Sequence, residues 1–157
     1  MVTAFNLLFS AAAVRRLLGL RPSVKVEIRK FFKVIWVWVQ GKRPTFISKR
    51  VFMNHFAEWR QSQSKGFKVT KRLDLANHYT VRNLQKDTAY VVEVRREGVF
   101  CTCEDLKNQL EFFGWGCCKH GYAVLAQLGF GSLRDYLNAK TIIPFPQVAE
   151  RPALYAA

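Results

Sequence analysis

Four cysteines stand within eighteen residues, Cys101, Cys103, Cys117 and Cys118, and His120 follows closely. Thiolate sulfur and imidazole nitrogen are the donors that zinc prefers, four at a time in a tetrahedron. Cys101 and Cys103 make a C-x-C pair, Cys118 and His120 a C-x-H pair, and fourteen residues separate the two. Donors one residue apart can reach the same ion where the chain turns sharply, as at the end of a strand. The spacing therefore predicts a Zn2+ site of Cys101, Cys103, Cys118 and His120. Four protein donors fill the shell and leave no place for water or substrate, so the ion acts as a crosslink rather than a catalyst. Disulfide scaffolds scatter their cysteines to staple distant loops, and a bridge between the neighbours Cys117 and Cys118 is strained. A tight Cys/His cluster instead points to a reducing, intracellular setting. Cys117 is left over, because the C-x-H spacing selects Cys118; it is either a small buried residue or a redox-sensitive thiol. Glu104 and Asp105 suit a capping or ligand-supporting role better than a catalytic one.

Positioning these donors takes a turn at one pair and a helix start at the other. His120 to Leu128 is apolar at helical spacing, so Cys118 and His120 open a helix whose amide dipoles favour thiolate nearby. Upstream, His78 to Leu84 and Ala89 to Arg95 flank the polar Gln85-Lys86-Asp87 and predict a hairpin, with short strands at Phe67 to Val69 and Val99 to Cys101. The middle segment, Leu106 to Gly116, carries Leu110, Phe112, Phe113 and Trp115. These either fold back on the hairpin as a second small core or stay exposed to stack on a base or fill a partner's groove.

The first part of the chain reads differently. Met1 to Val14 is apolar, with Arg15 and Arg16 after it, which fits a short helix that Arg21-Pro22 ends or an organelle-targeting leader. Val24, Val26 and Ile28 alternate with Lys25, Glu27 and Arg29 as a strand with one wet face. Phe31 to Val39 is aromatic and β-branched and predicts a strand buried on both faces. Gly41 to Pro44 reads as a turn, Thr45 to Ile47 as a returning strand, and Ser48 as the N-cap of a helix over 49–62. Phe52, Phe56 and Trp59 share one side of that helix and leave Lys49, Arg50 and Arg60 to solvent or phosphate. Gly129-Phe-Gly131 breaks the later helix, Ser132 caps a short one, and residues 141–157, with three prolines, read as extended. The segments are 1–23, an apolar helix or leader; 24–66, a basic β-hairpin plus helix; 67–130, the metal module; and 131–157, a short helix and tail. The fold class is α+β, antiparallel hairpins with short helices and a zinc-stabilised C-terminal module.

Cys101-Thr-Cys103-Glu-Asp105, then Cys118-Lys119-His120 and Ala123-Val124-Leu125, resemble the SWIM zinc finger, whose pattern is C-x-C, a variable middle, then C-x-H. The strands at Tyr79 to Arg82 and Tyr90 to Val94 are similar to that family's lead-in hairpin. The resemblance covers about 67–130, with a middle segment longer and more aromatic than a short insert. It implies a structural zinc held by Cys101, Cys103, Cys118 and His120, and binding to DNA or to protein partners. Chromatin-remodelling ATPases, mutator-type transposases, some kinases and recombination accessory proteins carry such modules.

The 157 residues hold 25 Lys and Arg against 11 Asp and Glu, a formal +14. Residues 1–50 hold eleven of the cations and a single acid, Glu27, whereas 101–157 hold five of each. A field of that size and asymmetry points to an acidic partner for the front half. Arg29, Lys30, Lys33, Lys42, Arg43, Lys49, Arg50, Lys68, Lys71 and Arg72 are the candidate nucleic-acid contacts, suited to following phosphates without reading sequence. His78, Tyr79 and Trp59 are candidate stacking rings. With half its residues hydrophobic the chain is not a disordered tail, and no apolar run reaches the roughly 18 residues of a membrane span. The chain has no P-loop, HExxH or nucleophile motif. The expectation is a non-catalytic, zinc-binding protein that binds nucleic acid, DNA ahead of RNA, as a subunit of a larger complex. The alternative is an adaptor that docks on another protein through the aromatic insert and the N-terminal apolar segment.

Overall fold

Thr3 and Ser10 organise the N-terminal stretch of the computed structural model, which describes residues 2–139. Thr3 Oγ1 accepts from the Asn6 amide at 3.2 Å while Asn6 Oδ1 accepts from the Thr3 amide at 2.7 Å, a reciprocal cap on helix α1, Ala4–Leu8. Ser10 Oγ then accepts from the Ala13 amide at 3.1 Å and starts α2, Ala11–Leu17. The sequence predicts one helix here. Extended backbone at Phe9 and Ser10 divides it in two, and the bend brings Phe9, Ala13 and Val14 into one buried cluster.

That cluster lies against a three-stranded antiparallel sheet, β1 (Val26–Lys30), β2 (Val34–Val39) and β3 (Thr45–Ser48), in that order. Ile28 faces Val37, and Ile35 faces Ile47. Ile35, Val37 and Val39 are buried with Phe9, Val14 and Phe52; Val34, Trp36 and Trp38, on the other face of β2, are half-buried. The expectation that Phe31 to Val39 is buried on both faces is therefore corrected. One helical layer supplies one buried face, and Phe31 and Phe32 lie in the exposed turn between β1 and β2.

Ser48 Oγ accepts from the Val51 amide at 3.4 Å and begins α3, Lys49–Gln63, whose Phe52 enters the same core. A 3-10 turn, Ser64–Gly66, leads into a second antiparallel sheet of β4 (Phe67–Lys71), β5 (His78–Asn83), β6 (Thr88–Arg95) and β7 (Gly98–Cys101), in chain order. At the β5–β6 turn Asn83 Oδ1 accepts from the amides of Gln85 and Lys86, and Asp87 takes positive φ, which Asp tolerates better than most residues.

Three helices complete the second half: α4 (Glu104–Phe113), α5 (Lys119–Gln127) and α6 (Leu133–Ala139). Val81, Val92 and Val99 of the sheet pack with Tyr122, Val124 and Leu125 of α5. Tyr136 of α6 donates its hydroxyl to the Arg95 carbonyl at 2.8 Å, and Ser132 Oγ caps α6 by accepting from the Asp135 amide at 3.1 Å. The architecture is α+β, with helices packed on antiparallel sheets. No helix among the described residues is long and apolar enough to cross a membrane. The extended reading of 141–157 lies outside the described residues.

Candidate metal centre

Cys101 is the last residue of β7, and Cys103 is the N-cap of α4. Its Sγ accepts from the Leu106 amide at 3.5 Å. Cys118 is the N-cap of α5, its Sγ accepting from the Gly121 amide at 3.4 Å, and His120 lies in the first turn of that helix. Two of the three sulfurs thus sit where free amides and the positive end of a helix favour thiolate. The sequence places one helix start at the site, the one at Cys118. The structure has two, because the insert after Cys103 is itself a helix. Gly114, in the left-handed region at φ 72°, closes it.

The four donor atoms lie within 4.8 Å of one another. His120 Nδ1 is 3.7 Å from the Cys101 sulfur and 3.8 Å from the Cys118 sulfur. A tetrahedral ion with sulfur bonds of about 2.3 Å and nitrogen bonds of about 2.0 Å has edges of roughly 3.5–3.8 Å. The two nitrogen–sulfur distances are close to such edges and the donor types suit such an ion, so the cluster can hold a metal. Cys103, Cys118 and His120 are buried, and Cys101 is half-buried. The His120 ring is clamped by Tyr90, stacked at 4.3 Å between centroids, and by Phe67, edge-on at 4.9 Å. These two rings from β6 and β4 fix the imidazole plane.

The thiols titrate as a group. Cys103 is held below the usual thiol range, mainly because the Cys101 and Cys118 sulfurs hydrogen-bond to it. Cys101 is pushed up to about 12, first by its hydrogen bond with Cys103. Cys118 is raised, by hydrogen bonds with Cys101 and Cys103 and then by burial. Three sulfurs around one point resist carrying three negative charges together, which is the electrostatic condition a bound cation relieves.

Cys117 lies outside the cluster. Its thiol packs in the hydrophobic core beside α5, points to the Cys118 carbonyl at 3.6 Å, and is raised by burial. A Cβ at Gly121 would lie 2.8 Å from the Cys117 sulfur, so a glycine is what admits both.

A buried polar chain behind the site escaped sequence reasoning. Arg60 of α3 pairs with Asp105 in the first turn of α4, Nε to Oδ2 at 2.9 Å and Nη2 to Oδ1 at 2.6 Å. Gln109 Nε2 donates to Asp105 Oδ2 at 3.2 Å, and its Oε1 accepts from the Cys117 amide at 3.1 Å. Arg60 also lies 3.5 Å over the Phe56 ring and donates to the Phe56 carbonyl. The expectation that Arg60 faces solvent or phosphate is thereby corrected: it is buried, and it connects α3 to the loop that delivers Cys118. A partner 45 residues away leaves no local signal.

The ten candidate nucleic-acid contacts are divided over the molecule. Arg29 lies on the outer face of the first sheet, with its guanidinium 5.1 Å over Trp36. Lys33, Lys42 and Arg43 are exposed in the two turns of that sheet. Lys30 lies over Phe5 at 5.8 Å, on the helix side. Lys49 donates to the Phe32 carbonyl at 2.7 Å and so holds the β1–β2 turn. Arg50 is exposed on α3, Lys68 and Lys71 on the edge strand β4, and Arg72 pairs with Asp74. Of the candidate stacking rings, Tyr79 is buried in the second core and Trp59 lies under Arg16 at 4.2 Å. His78 is half-buried, with Nε2 3.9 Å from Glu93.

Compared with family models, curated proteins and solved structures, the chain matches none.

Proposed function

We propose that this chain is a zinc-stabilised nucleic-acid-binding protein with a SWIM-type module, intracellular and non-catalytic, serving as a subunit of a larger nucleic-acid-processing complex. Cys101, Cys103, Cys118 and His120 hold the Zn2+. The ion supplies a crosslink between β7, α4 and α5, and its binding free energy adds to folding free energy. The support for zinc is the donor chemistry: three sulfurs and an imidazole within 4.8 Å of one another, with two nitrogen–sulfur distances close to a tetrahedral edge.

The observation that carries the nucleic-acid reading is the charge of the first fifty residues, eleven cations against one acid, with Lys33, Lys42, Arg43 and Arg50 exposed. DNA is placed ahead of RNA on the resemblance alone. The adaptor reading keeps one specific support, Trp115, which is 69% exposed beside a groove between α3 and α6. The N-terminal segment gives it none, since Phe9, Ala13 and Val14 are buried in the protein's own core.

The test combines elemental analysis with an electrophoretic shift panel of single-stranded DNA, duplex DNA and RNA at two salt concentrations. One equivalent of zinc and binding that weakens steeply with salt are expected. Substituting Lys42, Arg43 and Arg50 with Ala should weaken binding. Lys49 is left intact because it holds a turn. Binding indifferent to salt and to these substitutions would transfer the case to the adaptor.

A further inference from the structure

The outer face of the first sheet is built unlike an ordinary solvent face. Strand β2 turns Trp36 and Trp38 toward it, and Phe46 of β3 lies directly across from Trp36. Phe46 is 60% exposed, and Phe31 at the adjoining turn is 50% exposed, the two rings meeting edge-to-face at 5.8 Å. None of these four rings belongs to a buried cluster among the described residues. Helices cover the opposite face, through Phe9, Val14 and Phe52. Cations accompany the rings: Arg29 at 5.1 Å over Trp36 and Lys25 at 5.9 Å over Trp38. Lys33 lies in the turn at one end of the strands, and Lys42 and Arg43 in the turn at the other, about 20 Å apart by the length of β2. The one acid on this face, Glu27, is already paired with Lys25 at 3.2 Å.

We propose that this face is a stacking platform for single-stranded nucleic acid, with Trp36, Trp38, Phe46 and Phe31 receiving bases and Arg29, Lys33, Lys42 and Arg43 following the phosphates. The proposal rests on the nucleic-acid reading above and adds the surface and the strandedness. Its warrant is chemical. Flat aromatic rings accept the π-faces of bases, and only unpaired bases expose those faces. A duplex offers phosphates and groove edges, and a flat three-stranded face enters neither groove. An acidic protein partner would use the cations and leave the rings without a matching group. An aromatic face accepts the π-face of any base, so stacking on this platform is sequence-tolerant. The platform lies outside the metal module, so the ion stabilises the protein without touching the strand.

The experiment uses the zinc-loaded full chain and a labelled twelve-nucleotide oligo-dT, which cannot pair with itself, against a mixed-sequence duplex of equal length. Anisotropy should show the single strand bound at least tenfold more tightly. Trp36→Leu keeps apolar bulk without the stacking ring, and should weaken dT binding about 5- to 150-fold while leaving its salt slope unchanged. Lys42→Ala with Arg43→Ala should instead reduce that slope by about 1.4. A second readout does not depend on altering the platform. In a Trp59→Phe, Trp115→Phe background the remaining emitters are Trp36 and Trp38, and dT should quench them. Duplex bound as tightly as dT, with no quenching and no effect of Trp36→Leu, would overturn the platform and leave the nucleic-acid reading standing. Absence of binding to either probe would overturn both. A Trp36→Leu variant that binds dT normally but converts a dimer to a monomer would identify the face as a contact between copies, again overturning the platform.

Discussion

Cys117 and Cys118 are adjacent and chemically identical, yet the fold gives them opposite tasks. Cys118 caps α5 and faces His120 Nδ1 at 3.8 Å, whereas Cys117 is turned into the apolar core. Cys118→Ser should therefore lose the bound metal, and Cys117→Ser should retain one equivalent at a stability cost of about 1 kcal/mol. Elemental analysis after gel filtration distinguishes them, and a metal-free Cys117→Ser protein would contradict the assignment. Gly121 sets two effects against each other at the same place. Ala in a helix interior gains up to about 1 kcal/mol over Gly. Here its Cβ would lie 2.8 Å from the Cys117 sulfur and 3.3 Å from Val99 Cγ1, and overpacking of that kind costs about 1–3 kcal/mol. Gly121→Ala is expected to destabilise. In a Cys117→Ala background the penalty should shrink, since the nearest atom is gone. A double-mutant cycle in urea measures this coupling, and additive effects would refute it.

Between elements, the decisive join is the one from α3 to α4. The Arg60–Asp105 pair is nearly buried on the arginine side and continues through Gln109 to the Cys117 amide. Removing Arg60 leaves Asp105, itself 31% exposed, with Gln109 as a remaining partner, at a cost of about 1–3 kcal/mol. Arg60→Met keeps the apolar stem over Phe56 and isolates the charge effect. It should lower the urea midpoint of the metal-loaded protein, and Arg60→Met with Asp105→Asn should recover part of the loss. If the double variant is the less stable of the two, the pair is not what joins these helices. The site loop, with Gly116 packed against Gln109, should also bind metal less tightly in Arg60→Met, because the amide anchored by Gln109 adjoins Cys118. Competition with a chromophoric chelator reads that directly.

Among the described residues, two larger buried clusters are built on the two sheets, and a third, small one of Cys103, Leu106 and Cys118 adjoins the second sheet through Tyr90 and Cys101. Chelation at neutral pH should therefore act unevenly. Amide protection is expected to fall first over 101–127, where β7, α4 and α5 meet the donors, while β1–β3 keep theirs. Hydrogen exchange followed by mass spectrometry tests this, and simultaneous loss in both sheets would mean the clusters unfold as one unit. The charge is divided on the same lines, with the cation-rich segment in the first sheet and the electrically balanced one around the metal donors. A metal-free protein need therefore not lose its positive surface.

How much of this was legible without coordinates depends on the range of the cause. Ser48 and Ser132 marked helix starts, Gly129 to Gly131 a helix end, and period two marked β1, because caps, breakers and alternation act within a few residues. The grouping of Cys101, Cys103, Cys118 and His120 was legible for the same reason, since donor chemistry and short spacing restrict the choices. The helix in the insert was not legible because its N-cap is a cysteine, outside the usual Ser, Thr, Asp and Asn caps, so its start carries no ordinary local signal. Tertiary structure alone decided that Tyr90 and Phe67 clamp His120, that Arg60 turns inward to Asp105, and that Trp36 and Trp38 face out. Each depends on which element packs against which, and burial on a given face is set by the layers available to cover it, a property no single strand or helix encodes.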